Sequence, residues 1–386
     1  MSSILYAIIM CGSRGYTNYR HQADVYAWVN ILLNRGYKRE NIITISYDDV
    51  AAETKEIYHT CDGPNMYLEG AVNYSSIQAS KDQFIKSING INNKKANVLI
   101  VYINHGAYNF LSTPNGFDRP IYIDDFTEAI NNLANRVRKV LCIVEACFSG
   151  SFARQTKYAR NVIIMTAASA REPSYAYSWC PRLKVYTSNE FTYHVLNYLD
   201  DKRNDKKYLK DMYDTVKHQT NMSTVVCTSN IYRVLLKDFF GTIGKHSDHI
   251  LGDVSISTVR RIKNTLRPQA PLQKVWREVL HYLIKEVANS SITNWTLSDQ
   301  RRALYTRQLT ALPENKQQCY KMVSNTAIQF FMTKYLDEDN IEFVHDFGLL
   351  CISFNTNDII KAIEGHAERK ANKQRLRRIS YRAQVY

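Results

Sequence analysis

No stretch of the 386-residue chain offers the roughly 18 consecutive apolar residues that a membrane-spanning helix needs, and its best runs, such as Val98–Ile103, are strand-sized. Glycine and proline are scarce, at 14 and 8 residues, which excludes collagen-like and low-complexity chains. The 8 cysteines contain no CxxC pair and no Cys/His spacing of the zinc type, so no structural metal is expected. A chain of this length can bury a core without disulfides. Acidic residues are outnumbered, 36 against 50 Lys plus Arg, for a net charge of +14. Such an excess suits nucleic acid, anionic membrane or acidic partners. Seven of the basic residues, however, crowd the terminal stretch Arg369–Arg382, and no recognised fold or aromatic platform accompanies them, so no specific nucleic-acid binding is expected. Residues 251–386 carry 21 basic and 13 acidic side chains, a net +8, which leaves +6 for residues 1–250. The apolar N-terminus lacks a basic leader and a small-residue cleavage site, so it reads as a core strand rather than an export signal. The expectation is a soluble, monomeric globular protein without a cofactor.

What is present is alternation. Short runs rich in Ile and Val, at Ile4–Met10, Asn41–Ser46, Ala96–Asn104, Lys139–Glu145 and Asn161–Ala167, are separated by helically spaced segments at Arg20–Arg35, Ser80–Asn89 and Ile123–Asn135. That pattern predicts a mostly parallel sheet flanked by helices. After Lys245 the strand signal fades, and Leu272–Ala288, Asp299–Leu309, Asn315–Lys334 and Asp337–Ser353 read as successive helices. Arg267-Pro268 and Ala270-Pro271 interrupt continuous helix before them. The expected organisation is an α/β domain over 1–245, a linker over 246–270 and an all-helical domain over 271–386.

Two predicted strands end in reactive residues. Val98–Asn104 delivers His105-Gly106, and Val140–Val144 delivers Glu145-Ala146-Cys147-Phe148-Ser149-Gly150-Ser151. In parallel sheets functional groups gather outside the carboxyl ends of the strands. Neighbouring strands would bring out an imidazole and a thiol side by side. The imidazole can favour the thiolate and later protonate a leaving amine, while the backbone N–H groups of Gly106 and Cys147 hold an oxyanion. Each residue alone has a plainer reading: a strand-end cysteine is usually a small core hydrophobe, as Cys142 within its apolar run is taken to be, and a histidine before glycine is usually a loop residue. The pairing at two strand ends points to a cysteine hydrolase.

The blocks Ala7–Asp24, Tyr47–Ala51, Asn104–Gly106, Glu145–Ser151 and Thr166–Ala176, in this order across about residues 4–235, resemble those of the legumain family, the asparaginyl endopeptidases. The run Asn18-Tyr-Arg-His-Gln-Ala-Asp24 is the most specific. The resemblance implies a caspase-like α/β fold. It further implies Cys147 as nucleophile, His105 as general acid/base, Asn18 as the residue orienting that histidine, and a pocket of Arg20, His21, Glu145, Ser174 and Asn189 for the side chain before the cut. An Asn carboxamide needs donors for its oxygen and acceptors for its nitrogen, which Arg and Glu supply. A buried ion pair between Arg20 and Glu145, bracing the loop, is the plainer alternative. The related subunit that attaches lipid anchors shares the His and Cys blocks, but Arg171-Glu172 with Ser174-Tyr175-Ala176 favours legumain.

Three positions depart from the family pattern. Asn189 falls where the family pocket has an aspartate, unless Glu190 takes that role by a shift of one residue. Asn104 stands before the histidine in place of the usual Asp. Pro173 stands in place of a Ser and removes a backbone donor. The resemblance extends more faintly into the helical region, which it identifies with a prodomain that caps the active site as an intramolecular inhibitor. It pairs Cys319 with Cys351 as a disulfide, two buried thiols being the alternative, and makes Asn264, in Val259–Thr265, the self-cleavage position, a plain linker asparagine being the alternative. The implied activity is a zymogen-derived endopeptidase that cuts peptides and proteins after Asn, with Asp as a second candidate. The alternatives are a peptide ligase or transamidase using the same site, and a silent legumain-like binding or storage protein. The family suggests a lysosomal, vacuolar or secreted setting, although no leader is visible.

Overall fold

The computed structural model describes residues 4–114, 120–153, 158–228, 231–244, 250–252, 314–331, 348, 350–352 and 354–365. The chain divides into two compact units, Met1–Thr265 with Tyr335–Asp337, and Leu266–Lys334 with Glu338–Tyr386. In chain order the first unit runs β1 (Ile4–Cys11), α1 (Tyr19–Asn34), β2 (Ile42–Ile45), α2 (Asp49–Thr54), α3 (Lys81–Gly90), β3 (Asn93–Ile103), β4 (Gly106–Ala107), β5 (Phe110–Leu111), β6 (Ile121–Tyr122), α4 (Ile123–Ala134), β7 (Val137–Glu145), α5 (Gly150–Ala153), β8 (Val162–Thr166), β9 (Ala176–Cys180), β10 (Val185–Asn189), α6 (Glu190–Leu199), α7 (Leu209–Gln219), β11 (Val226–Cys227) and α8 (Lys237–Phe240). Every strand and helix expected in this unit forms, with ends displaced by a few residues.

The main sheet has six strands in the order β11-β8-β7-β3-β1-β2. The β1–β2, β1–β3, β3–β7 and β7–β8 pairs are parallel and β11 runs antiparallel to β8. Successive side chains point to opposite faces of a strand, and here both faces are covered. Ile9, Val101, Ile103, Ile143 and Met165 enter a core with α1, α6 and α7, while Ile8, Ile100, Tyr102, Val144 and Ile164 enter a second core with α3 and α4. Each such side chain taken from water contributes about 1.5–3 kcal/mol. That double coverage is why β3 and β7 are continuously apolar rather than alternating.

The segment that follows α8 is fastened by a buried cation. Arg35, just past α1, donates from Nε to Phe240 O (3.1 Å) and from Nη2 to Gly241 O (3.0 Å), donates from Nη1 to Leu199 O, and pairs with Asp205 at 2.8 Å. Gly241 lies at φ +68 with its Cα so close to Arg35 that an added Cβ would sit 2.2 Å from the Arg35 carbonyl oxygen, so no other residue fits. Beyond it, Asp200 Oδ2 accepts from the backbone amides of Ile250 and Leu251 at 2.8 and 2.7 Å.

In the second unit, α9 (Glu314–Phe331) overlaps the helix expected over Asn315–Lys334. Cys319 on it forms a disulfide with Cys351, and Lys316 Nζ donates to Cys351 O at 2.8 Å. A further helix covers 356–365, a span not anticipated as helical, and buries Ile359 and Ile363. The helices expected over 272–288 and 299–309, most of that over 337–353, and Asn264 with most of the 246–270 linker lie outside the described residues.

One cross-link has no sequence signal. Cys61, in the loop after α2, is bonded to Cys180 at the end of β9, 119 residues away. A loop of that size restricts the unfolded chain strongly, so replacing both cysteines by alanine is expected to cost about 2–5 kcal/mol. The check is a lower denaturation midpoint for Cys61→Ala/Cys180→Ala, with a steeper slope because the unlinked denatured chain exposes more surface.

Candidate active site

Register brings the reactive segments together. Ile103 at the end of β3 pairs with Glu145 at the end of β7, and the Asn104 amide donates to Glu145 O at 2.9 Å. His105 and Cys147 each follow that pair by two residues. Beyond the strand ends the backbones stay close, since a Cβ added to Gly106 would lie 2.8 Å from Cys147 O and 2.9 Å from Ala146 Cβ. Any side chain at 106 would push the two segments apart. Asn104 fastens the same corner by donating from Nδ2 to the carbonyl oxygens of Gly12 and Ser112. After Cys147 the chain turns through Phe148 at φ 56, a left-handed conformation that costs a β-carbon residue about 1–2 kcal/mol. The Phe148 amide donates to Glu172 O at 2.9 Å and so holds that turn.

The imidazole has a fixed tautomer. Asn18, at the start of α1, donates from Nδ2 to Arg14 O (2.9 Å), which orients its amide and leaves Oδ1 to accept from His105 Nε2 at 2.7 Å. With the proton on Nε2, Nδ1 is the basic nitrogen of His105. The ring of His21 meets His105 edge-on, with centroids 4.7 Å apart and planes at 70°, and its Nδ1 bonds Ser13 Oγ at 2.7 Å. Burial, then the charges of Arg20 and His105, hold His21 well below the usual imidazole range. His21 therefore stays neutral. The Cys147 thiol lies 3.7 Å from Ser174 O, to which it donates, and 4.0 Å from Ser174 Oγ, so Ser174 adjoins the sulfur.

The pocket residues meet as well, but not with the expected partners. Arg20 Nε donates to Asn189 Oδ1 at 3.0 Å, and Asn189 Nδ2 donates to Asp24 Oδ2 at 2.7 Å. Both polar ends of Asn189 are thus engaged within the protein. Glu190 does not substitute for it, because its two oxygens accept from the backbone amides of Asn221 and Met222, each at 3.1 Å. Glu145 bonds Thr192 rather than Arg20, with Oε2 accepting from the Thr192 amide (3.1 Å) and hydroxyl (3.0 Å), so the bracing ion pair does not form. Its other oxygen, Oε1, is buried without a hydrogen-bond partner. Burial, then the neighbouring charge of Asp24, pushes the Glu145 carboxyl up to about 8. A carboxyl raised this far favours its protonated form at neutral pH and becomes an anion only above that range.

Asp24 and His59 were not expected in this network. His59 Nε2 bonds Asp24 Oδ1 at 2.8 Å, with both side chains fully buried. Asp24 carries one available signal, its spacing of four from Arg20, which puts both on one face of a helix. His59 carries none, since its loop reaches α1 only through the fold.

The model of the peptidase C13 family matches residues 5–239. The chain belongs to that family. Among its relatives, hemoglobinase from Schistosoma japonicum is 30% identical over 239 residues, covering 57% of this chain and 56% of that protein. Legumain from Bos taurus is 26% identical over 298 residues, covering 71% and 67%. The vacuolar-processing enzyme delta-isozyme of Arabidopsis thaliana is 29% identical over 278 residues, covering 63% and 59%. The chain thus spans between about half and two thirds of the length of the relatives it matches. Among solved structures, caspase-1 from Spodoptera frugiperda aligns over 64% of this chain and 94% of its own, at 13% identity and a TM-score of 0.41.

The Glu145 proton has a measurable consequence. An unfolded glutamate titrates near the ordinary 4.5, whereas the folded one titrates near 8. Between those values the unfolded chain has released a proton that the folded chain keeps. Wild-type stability should therefore fall as pH rises through this window, with the loss complete above it. Glu145→Gln keeps the shape without the titration. It is expected to melt at a higher temperature than wild type at pH 8.5 and to converge with it near pH 4, as read by thermal denaturation across the series.

Proposed function

We propose that this protein is a cysteine endopeptidase that cleaves after Asn through an acyl-thioester on Cys147. The observation that carries the reading is the level ending of β3 and β7, which sets His105 and Cys147 equally far beyond the Ile103–Glu145 pair, with His105 oriented by Asn18. The thiolate attacks the carbonyl carbon, and the backbone amides of Gly106 and Cys147 receive the oxyanion. His105 then protonates the departing amine, and water, deprotonated by the same imidazole, hydrolyses the thioester. For the side chain before the cut, the Arg20 guanidinium supplies donors to a carboxamide oxygen. Glu145, whose Oε1 is buried without a hydrogen-bond partner, is the carboxyl beside it that accepts from its nitrogen once ionised. Family membership supports the reaction class, and the names of the relatives support a peptide substrate.

Cys147→Ala is expected to reduce hydrolysis of an Asn-containing peptide to background while its melting temperature stays within a few degrees of wild type. Cys142→Ala should remain close to wild type in catalysis, because Cys142 lies wholly within the second core. An active Cys147→Ala protein would refute the assignment.

The reading extends to latency, with residues 271–386 as an intramolecular inhibitor and Asn264 as the position of self-cleavage. It is supported by the resemblance around Val259–Thr265, by the Cys319–Cys351 cross-link, and by legumain alignments that reach 71% of the chain and so run past the family match. Mass spectrometry of the protein incubated at acidic and neutral pH is expected to find a fragment ending at Asn264, absent from Cys147→Ala. Processing only at other sites would exclude this position.

A further inference from the structure

We infer that Asp24, acting through Asn189, sets the polarity of the pocket that Arg20 presents, and is the positioning residue behind its preference for a carboxamide over a carboxylate. This inference rests on the endopeptidase reading.

An amide has a donor end and an acceptor end, and Asn189 uses both inside the protein: Nδ2 on Asp24 Oδ2 and Oδ1 on Arg20 Nε. Rotating the amide by half a turn would set its NH2 group against a guanidinium and its oxygen against a carboxylate. Asp24 therefore dictates which end faces Arg20, and with it the orientation of the guanidinium. The arrangement is inaccessible to water, with Asp24 at 0%, His59 at 1%, and Arg20 and Asn189 each at 3% exposure, so solvent cannot replace a lost partner.

Two hydrogen-bond partners favour the anionic form of Asp24 in this corner. Its two oxygens accept from His59 Nε2 and Asn189 Nδ2, whereas neighbouring Glu145 leaves Oε1 without any donor. Burial is the largest influence on Asp24 and raises it, with His59 and Asn189 opposing that shift; of the two acids it is Asp24 that has a partner on each oxygen. His21, the other imidazole beside Arg20, is neutral. Arg20 is thus balanced across one amide by the Asp24 anion. A carboxylate ligand would bring a second negative charge to the same cation, while a carboxamide brings none. One covalent brace holds both partners of Asp24, because Cys61, two residues past His59, is bonded to Cys180 on the hairpin β9–β10 that carries Asn189.

The test is a swap. In Asp24→Asn, the new amide satisfies His59 through its oxygen but presents NH2 to the NH2 of Asn189, and neither orientation of Asn189 then serves both position 24 and Arg20. In Asp24→Asn/Asn189→Asp, every hydrogen bond is restored with the charge moved one residue toward Arg20. Full-length wild type and both variants are assayed at pH 7.5 on a peptide with one Asn and on its Asp twin. The single variant is expected to lose about tenfold or more in the Asn-to-Asp ratio of kcat/KM, mostly through KM. The double variant should recover the wild-type ratio to within about threefold, and its hydrogen bonding favours folding even where the single variant does not fold. A purely structural role would lower the melting temperature without moving the ratio. A single variant that folds and keeps the ratio, or a folded double variant that accepts Asp as readily as Asn, would overturn the inference. If wild type cleaves neither peptide, the activity reading falls, and the ratio is taken from equilibrium binding to Cys147→Ala proteins. An unchanged ratio or no binding there overturns the inference too.

Discussion

The register of β3 against β7 is the constraint on which the site depends. A slip by one residue would move the side chains of a strand to the opposite face, exchanging Val101 and Ile103 for Ile100 and Tyr102 in their two cores. Because both faces are packed, the register has no neighbouring alternative of comparable energy. The chemistry inherits that rigidity. His105, Gly106, Ala146 and Cys147 lie just past the sheet, yet they begin from two strand ends whose relative height is fixed by side chains far from the site.

Much of this was legible in the sequence, for physical reasons that can be named. The continuous apolar runs of β3 and β7 mark strands covered on both faces, and their reactive ends mark the site. The resemblance to the legumain family supplied Asn18, Arg20, His21, Glu145, Ser174 and Asn189, and the fold gathers them around one corner. Less legible was anything that depends on who faces whom. Asn189 could be placed beside Arg20, but its attachment to Asp24 required α1 and β10 to pack. The Cys61–Cys180 link joins residues 119 apart, and nothing local distinguishes that pair from the buried thiols Cys11 and Cys142. The protonation of Glu145 follows from burial, a property of the fold rather than of the residue.

Ionisable groups are concentrated in this corner at considerable cost. Asp24, His59, Arg20, Glu145, His21 and His105 are all buried, and each would lose several kcal/mol if charged and unpaired there. The network limits that loss with partners and by shifting titration: burial raises Glu145 and lowers His21 toward their neutral forms, and Asp24 has a partner on each oxygen. Polarity is retained only where an amide or hydroxyl can bridge it, as Asn189, Thr192, Ser13 and Asn18 do. Such an arrangement stores its stability in partners rather than in contacts with water, so perturbing one group propagates to the next.

The Arg35 clamp has its own consequence for how far the first unit can be trimmed. Its guanidinium gathers carbonyls from Leu199, Phe240 and Gly241, and Asp200, next to Leu199, receives the amides of Ile250 and Leu251. A proteolytic cut beyond Leu251 leaves each of these bonds intact. A cut that removed Phe240 and Gly241 would strand a buried guanidinium with two of its acceptors gone. The clamp thus sets a floor for truncation: a chain shortened from its carboxyl end as far as Leu251 keeps every one of these bonds, and one shortened past Gly241 does not.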